Sequence, residues 1–218
     1  MKILAFNGSA RKIGNSMKLL TEAVRGATDA GAEVSIVQLY EMNFKGCRSC
    51  FGCKRLSPLY GKGCIQKDDF TPVMQEMLNV DAWIFASPIY MGHTSSSLSA
   101  LLERFHFSHL NYDSHEKMVS RDYPSIFLYS MNGNSDFMHK NGIEHACQYD
   151  AFLMEEAFGS CEWMIANSTL QFEDYSKYHT AAVPVEKKTQ FSSIQFPKDL
   201  QRAYDLGKNL VSKISYEQ

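Results

Sequence analysis

The sequence predicts an α/β protein built on a doubly wound, five-stranded parallel sheet with helices on both faces. Two observations carry that expectation. Short apolar runs rich in β-branched and aromatic residues alternate with stretches of helical periodicity. Parallel neighbours also need crossover connections, so such alternation places helices on both sides of one sheet.

The elements follow in order. Lys2 to Phe6 (KILAF) reads as a strand, Gly8 to Ser16 as a turn, and Met17, Leu20, Val24 and Ala27 as the apolar face of a helix that Gly31 ends. Val34 to Leu39 is the second strand. Asp68 to Asn79 is a helix, with Asp68 or Thr71 as cap and Pro72 in its first turn, and Ala82 to Ala86 is a buried strand that Ser87 and Pro88 end. Leu98, Leu101, Leu102 and Phe105 mark a helix over Ser95 to Phe107, followed by a polar loop from His109 to Asp122. Ser125 to Tyr129 is the fourth strand, Gly142 to Phe158 a helix, and Glu162 to Ala166 the fifth strand. Leu200, Ala203, Tyr204, Gly207, Leu210, Val211 and Ile214 line a last helix. The stretch between, about 167–196, lacks a pattern and is expected to be irregular.

Length and composition bound the function. At 218 residues the chain is expected to form one domain over 1–218, with a cysteine-rich insertion at about 44–67. Hydrophobic residues make up 44% and charged residues 21%, enough apolar side chains for a core without staples. A net charge of -2 supplies no basic surface for nucleic acid. The longest apolar stretch, Val80 to Met91, is broken by Asp81 and Pro88, so no membrane span is expected. The apolar part of MKILAFNGSA is too short for the core of a secretory signal, which points to a cytoplasmic protein.

The first strand-to-helix junction, Asn7-Gly8-Ser9-Ala10-Arg11-Lys12-Ile13-Gly14-Asn15-Ser16, brings backbone N–H groups and hydroxyls to a helix N-terminus. The unpaired donors and the macrodipole favour an anion there; Ser9 and Ser16 add hydroxyls, and Arg11 or Lys12 adds charge. Neither a G-x-G-x-x-G fingerprint nor a Gly-Lys-Ser/Thr loop occurs, so one phosphate fits better than a dinucleotide or a triphosphate. The third strand runs into Pro88-Ile89-Tyr90-Met91-Gly92 at the same carboxyl edge, where ligands of open α/β sheets bind. Pro88 stiffens this segment, Gly92 permits close backbone approach, and Ile89, Tyr90 and Met91 offer a flat apolar surface to a planar ring such as an isoalloxazine. His93 is assigned no proton-transfer role.

Gly8-Ser9-x-Arg11-x-x-Gly14-Asn15-Ser16, with Ser87-Pro88-Ile89-Tyr90 and Leu98 to Arg104 (LSALLER), resembles the NADPH-dependent FMN reductases and multimeric flavodoxin-like proteins. Gly63-Cys64 and Asp68-Asp69 beside the cysteine segment add a similarity to their iron–sulfur flavoprotein branch, and Asn167 to Tyr178 is also similar to that group. The resemblance implies a flavodoxin-like fold with strand order 2-1-3-4-5 and the FMN phosphate held by Ser9, Arg11, Gly14, Asn15 and Ser16. It places the ring against Pro88, Ile89, Tyr90, Met91 and Gly92, with Ser130, Met131, Asn132 and Gly133 at its polar edge. It also implies a homodimer or homotetramer, to which Leu110 to Tyr123 would contribute.

Cys47-x2-Cys50-x2-Cys53 with Cys64 admits three readings: an iron–sulfur cluster, zinc, or reduced thiols able to form a reversible disulfide. The spacer from Lys54 to Gly63, longer than in cluster-bearing relatives and containing Ser57, Pro58 and Gly61, favours the thiols, and no metal is expected. Lys45, Arg48, Lys54 and Arg55 are expected to favour thiolate. Cys147 and Cys161 read as buried small apolar residues.

The function expected is an FMN-dependent oxidoreductase that takes reducing equivalents from NAD(P)H and passes them to a quinone, aromatic or other small-molecule acceptor. Such chemistry belongs to the cofactor, which fits the lack of a nucleophile or paired-carboxylate signature. The alternatives are an iron–sulfur flavoprotein, a flavodoxin-type electron carrier, for which -2 is a poor charge match, and a metal-binding or redox-sensing module without flavin.

Overall fold

The computed structural model describes residues 1–56, 63–114 and 116–216. The chain runs β1 (Lys2–Asn7), α1 (Asn15–Asp29), β2 (Glu33–Gln38), α2 (Phe70–Met77), β3 (Ala82–Tyr90), β4 (His93–Thr94), α3 (Ser96–His109), β5 (Ser125–Ser130), α4 (Ser135–Lys140), α5 (Ile143–Phe158), β6 (Cys161–Ala166) and α6 (Val185–Tyr216). Strands β2-β1-β3-β5-β6 form a parallel sheet in that order, which is the expected 2-1-3-4-5 once β4 is set aside.

Period-two alternation sends the two halves of each inner strand to different layers. On one face Phe6, Phe85, Phe127 and Tyr129 form a row of stacked rings, with successive centroids 5.2, 4.8 and 5.6 Å apart. Phe70, Met74 and Met77 of α2, Leu98 and Phe105 of α3, and Met154 and Phe158 of α5 cover that row. The other face sets the small residues Ala5, Ala82 and Ala86 among Ile3, Ile84, Ile126 and Leu128, beneath α1 and α6. Small residues let these helices approach the sheet and each other closely, and Gly26 of α1 and Gly207 of α6 meet where they cross.

Four sequence expectations are corrected. The sheet has a sixth strand: β4 folds back antiparallel on the end of β3, pairing Ile89 with Thr94 and Tyr90 with His93. Consequently Ser87 and Pro88 do not end β3. Its partner β1 stops at Asn7 opposite Ala86, so Pro88 pairs only with Ser130 of β5, and its missing N–H leaves no ladder bond open. The irregular stretch is shorter than expected, because residues 185–196 already belong to α6, which passes through Pro197. A Gln195 Nε2 to Asp199 Oδ1 bond of 2.8 Å spans the proline. Finally, neither expected cap serves α2: Asp68 accepts from Arg104 Nη1 at 2.6 Å, and the Thr71 hydroxyl donates back to the Gln66 carbonyl. The short α4, with Met138 as its buried residue, gives too little periodicity to read from sequence.

Candidate functional site

The carboxyl ends of β1, β3 and β5 meet at one edge, and each delivers a loop to the same place. After β1, the buried Asn7 fixes the turn: its Nδ2 donates to Gln38 Oε1 at 2.6 Å and its Oδ1 accepts from Ser9 N at 3.0 Å. Ser9 Oγ in turn accepts from Arg11 N at 3.1 Å. Gly8 lies against β3, where an added Cβ would come 3.0 Å from the Ala86 carbonyl oxygen. The loop enters α1 at Gly14, where no side chain caps the helix and its first turn holds no acidic residue. An uncapped N-terminus flanked by buried hydroxyls is built for an anion.

Ser16 is buried, and its Oγ lies 2.8 Å from Ser130 Oγ at the end of β5. The cradle also has a wall the sequence reading did not assign. Asn15 Nδ2 donates to the Leu170 carbonyl at 2.8 Å and Arg11 Nη1 to the Gln171 carbonyl at 2.6 Å, while Thr169 N and Oγ1 both bond the Met131 carbonyl at 3.0 Å. The signal was present in the family-like segment from Asn167, but its partners lie far away in the chain. These polar contacts close the cradle to about 100 Å³, lined by Ser9, Arg11, Gly14, Asn15, Ser16, Ser130 and Thr169 among others.

Pro88, Ile89 and Tyr90 border the same cradle, and Ile89 and Met131 continue into a neighbouring cavity of about 410 Å³ with Met91, Gly92, Asn132 and Gly133. All fourteen candidate residues therefore gather around two adjoining cavities. Met91 and Gly92 form the two-residue turn between β3 and β4, with φ of +51° and +87°. Gly92 serves that turn, not a close approach, since nothing lies within 4 Å of an added Cβ. Met91 is 98% and Tyr90 48% exposed, so the apolar segment stands open. Phe137 and Lys188 were missed. Phe137 lines the larger cavity, and Lys188 of α6 donates to the Asn132 carbonyl at 2.5 Å, burial holding its ammonium pKa below the ordinary lysine value.

The cysteine segment lies along α3. Glu103 Oε2 accepts from Cys47 N at 3.1 Å, the buried Arg104 donates to the Lys45 carbonyl, and Gln66 Nε2 reaches the Gly46 carbonyl and Cys64 Sγ. Cys47 and Cys50 are exposed, Cys53 is buried, and Cys64 is intermediate. Bonds from the Gly52 backbone and Arg48 pull the Cys50 thiol pKa down, whereas burial pushes Cys53 up despite Lys54, so the expected thiolate bias reaches one of the two. Among the described residues no three Cys, His, Asp or Glu side chains are placed as metal ligands, although the Cys64 and Cys47 thiols lie near enough to Cys53 to push its pKa up further. Ser57, Pro58 and Gly61 of the spacer lie outside the described residues. Cys147 and Cys161 are buried, with thiol pKa values pushed up to about 12 chiefly by burial, as inert core thiols should be.

A doubly wound parallel sheet with two adjoining cavities at the carboxyl ends of β1, β3 and β5 defines the flavodoxin-like class of folds. The profile of the NADPH-dependent FMN reductase family matches residues 1–135, and the chain belongs to that family. It is 32% identical to an iron–sulfur flavoprotein of Methanocaldococcus jannaschii over 104 residues, which is 48% of this chain and 51% of the relative. With an iron–sulfur flavoprotein of Archaeoglobus fulgidus it shares 27% over 147 residues, covering 67% of this chain and 68% of that one. It thus spans about half the length of the first relative and two thirds of the second. Among solved structures, an NAD(P)H:quinone oxidoreductase from Methanothermobacter marburgensis superposes with a TM-score of 0.63 at 17% identity, covering 96% of this chain and 95% of that one. An azoreductase from Bacillus anthracis gives 0.62 at 15%, covering 96% and 99%. At such identities the likeness establishes the shared fold.

Proposed function

We propose that the protein is an FMN-dependent oxidoreductase that draws reducing equivalents from NAD(P)H and delivers them to a quinone, aromatic or other small-molecule acceptor. The observation that carries this is the uncapped, acid-free N-terminus of α1, faced by Ser9, Ser16 and Ser130 and opening beside the cavity at Ile89 to Gly92. In this reading Gly14, Asn15 and Ser16 hold the phosphate through N–H and O–H donors, with Arg11 adding charge. Pro88 to Gly92 support one face of the ring, and Ser130 to Gly133 supply polar groups to its edge. When bound, FMN supplies hydride acceptance and electron delivery, and the chain needs no nucleophile of its own. The residues bind, orient and leave a face open, which the exposure of Tyr90 and Met91 allows. The whole chain acts as one FMN-binding unit, in the cytoplasm, as a homodimer or homotetramer without nucleic acid or membrane partners. No described helix is long and apolar enough to cross a membrane.

The test is titration of the purified protein with FMN and FAD, followed by NADH and NADPH oxidation with a quinone. FMN is expected to bind in preference to FAD and to be reduced by NAD(P)H; no flavin affinity at micromolar concentration would refute the reading. Two further outcomes are expected. Ser16→Ala removes a buried hydroxyl from the cradle, and Gly14→Val places a branched side chain whose Cβ would lie 3.0 Å from Arg11 Cβ. Each should weaken FMN by roughly 1–3 kcal/mol, measured by fluorescence quenching. Unchanged affinity in both would place the phosphate elsewhere. Replacing Cys47, Cys50, Cys53 and Cys64 together by serine should leave FMN bound and its reduction within about tenfold of the parent, a barrier change of roughly 1.4 kcal/mol. Iron and acid-labile sulfide near stoichiometry in anaerobically purified parent protein would instead assign the cysteines to a cluster.

A further inference from the structure

A separate cavity of about 400 Å³ lies between α3 and α5, with Thr94 of β4 at its edge. Its walls are apolar: Leu102, Phe107, Leu110, Leu153 and Met154. Several of the polar groups on its α3 and β4 sides are already engaged. Thr94 Oγ1 and Ser99 Oγ bond each other at 2.7 Å, and His106 Nε2 is 2.6 Å from the Leu153 carbonyl. Glu103, exposed at the mouth, accepts from Cys47 N. Asp150 of α5 faces the cavity with one oxygen engaged and one open. Its Oδ2 accepts from the buried Tyr129 hydroxyl at 3.0 Å, and its Oδ1 has no protein partner among the described residues. No lysine or arginine lines the cavity, while two carboxylates do.

We propose that this cavity is a second small-molecule site, one that takes a flat aromatic ligand carrying an O–H or N–H donor and seats that donor on Asp150. The volume suits two fused rings, and a predominantly apolar wall with one directed polar group is how small-molecule sites combine affinity with orientation. Two carboxylates line the cavity against one flanking cation, Lys54, whose Nζ donates to the Leu110 carbonyl and sits 5.1 Å over the Phe107 ring, so an anion meets net negative charge there, unlike at the phosphate cradle. A donor on the ligand satisfies the free oxygen; an equally apolar ligand without one leaves it desolvated and unpaired. The site stands apart from the flavin reading, since no residue of the phosphate cradle or of the ring cavity lines it.

The test uses 2-naphthol, 2-methoxynaphthalene and 2-naphthoate as probes, titrated calorimetrically into the FMN-saturated protein and into the same protein without FMN. Naphthol is expected to bind at least tenfold more tightly than the methoxy compound, and naphthoate not measurably. Asp150→Leu should bring the two neutral probes within about twofold of each other, whereas Leu153→Trp or Leu102→Trp, which fill the cavity, should abolish naphthol binding, all with FMN affinity retained. Equal affinity of the parent protein for the two neutral probes, or naphthol binding at parental strength in both filled variants, overturns the proposal. A protein that binds no FMN yet shows the naphthol pattern refutes the flavin reading and leaves this one standing.

Discussion

Gly207→Ala is expected to cost the protein about 3 kcal/mol of stability and to weaken FMN binding as well. In an isolated helix the same change helps, by about 1 kcal/mol, because alanine loses less backbone entropy than glycine. Here packing reverses the sign. A Cβ at Gly207 would overlap the backbone carbonyl oxygen of Ala23, and one at Gly26 would overlap that of Tyr204, so α1 and α6 touch main chain to main chain. Neither obstacle is the tip of a flexible side chain. Relief requires the helices to part, which unseats Leu19, Leu20, Ala203 and Leu210 from the aliphatic face of the sheet. It also moves α1, whose first turn carries Asn15 and Ser16, away from Ser130. Urea denaturation and FMN titration of the same variant check both effects; a loss under about 1 kcal/mol with unchanged FMN affinity would show that the crossing yields freely.

That crossing marks the boundary of what sequence could show. The strands and the first loop were legible because their signals are local: KILAF alternates faces within itself, and Gly8 to Ser16 holds its donors within one turn of α1. Pro88 misled because its meaning depends on where another strand stops. Read alone it ends a strand; opposite the end of β1 it merely occupies a position where no ladder bond is required. Pro197 lies inside α6 without ending it. The remaining parts of the site were recruited across long separations. Arg11 and Asn15 find their acceptors in Leu170 and Gln171, and Lys188 reaches back to Asn132, contacts that no window of neighbouring residues contains. Asp150 is the extreme case, a lone acid on an apolar helix face whose significance comes from Tyr129 on the strand beneath it.

Asp150 also predicts how stability depends on pH. Burial, partly offset by the Tyr129 hydrogen bond and by His93, raises its carboxyl pKa to about 6. The folded state therefore binds this proton more tightly than the unfolded chain, whose aspartates titrate near pH 4. The contribution to stability is present in full below the unfolded value and is lost as pH rises through about 6. Across that window the loss amounts to about 3 kcal/mol, of which about 2 falls between pH 4.5 and 7.5. Asp150→Asn keeps an acceptor for Tyr129 but carries no charge at any pH, so it should escape the loss. The other groups that bear on this site, His93 on β4, Cys147 on the same helix, Cys161 on β6, and Glu103 and His106 on α3, remain in both proteins and cancel in the comparison. The difference in unfolding free energy between variant and parent should thus grow by about 2 kcal/mol in the variant's favour from pH 4.5 to 7.5. A difference that stays flat would mean that the carboxylate is solvated in the folded protein, and that the acid at the floor of the cavity is an ordinary surface aspartate.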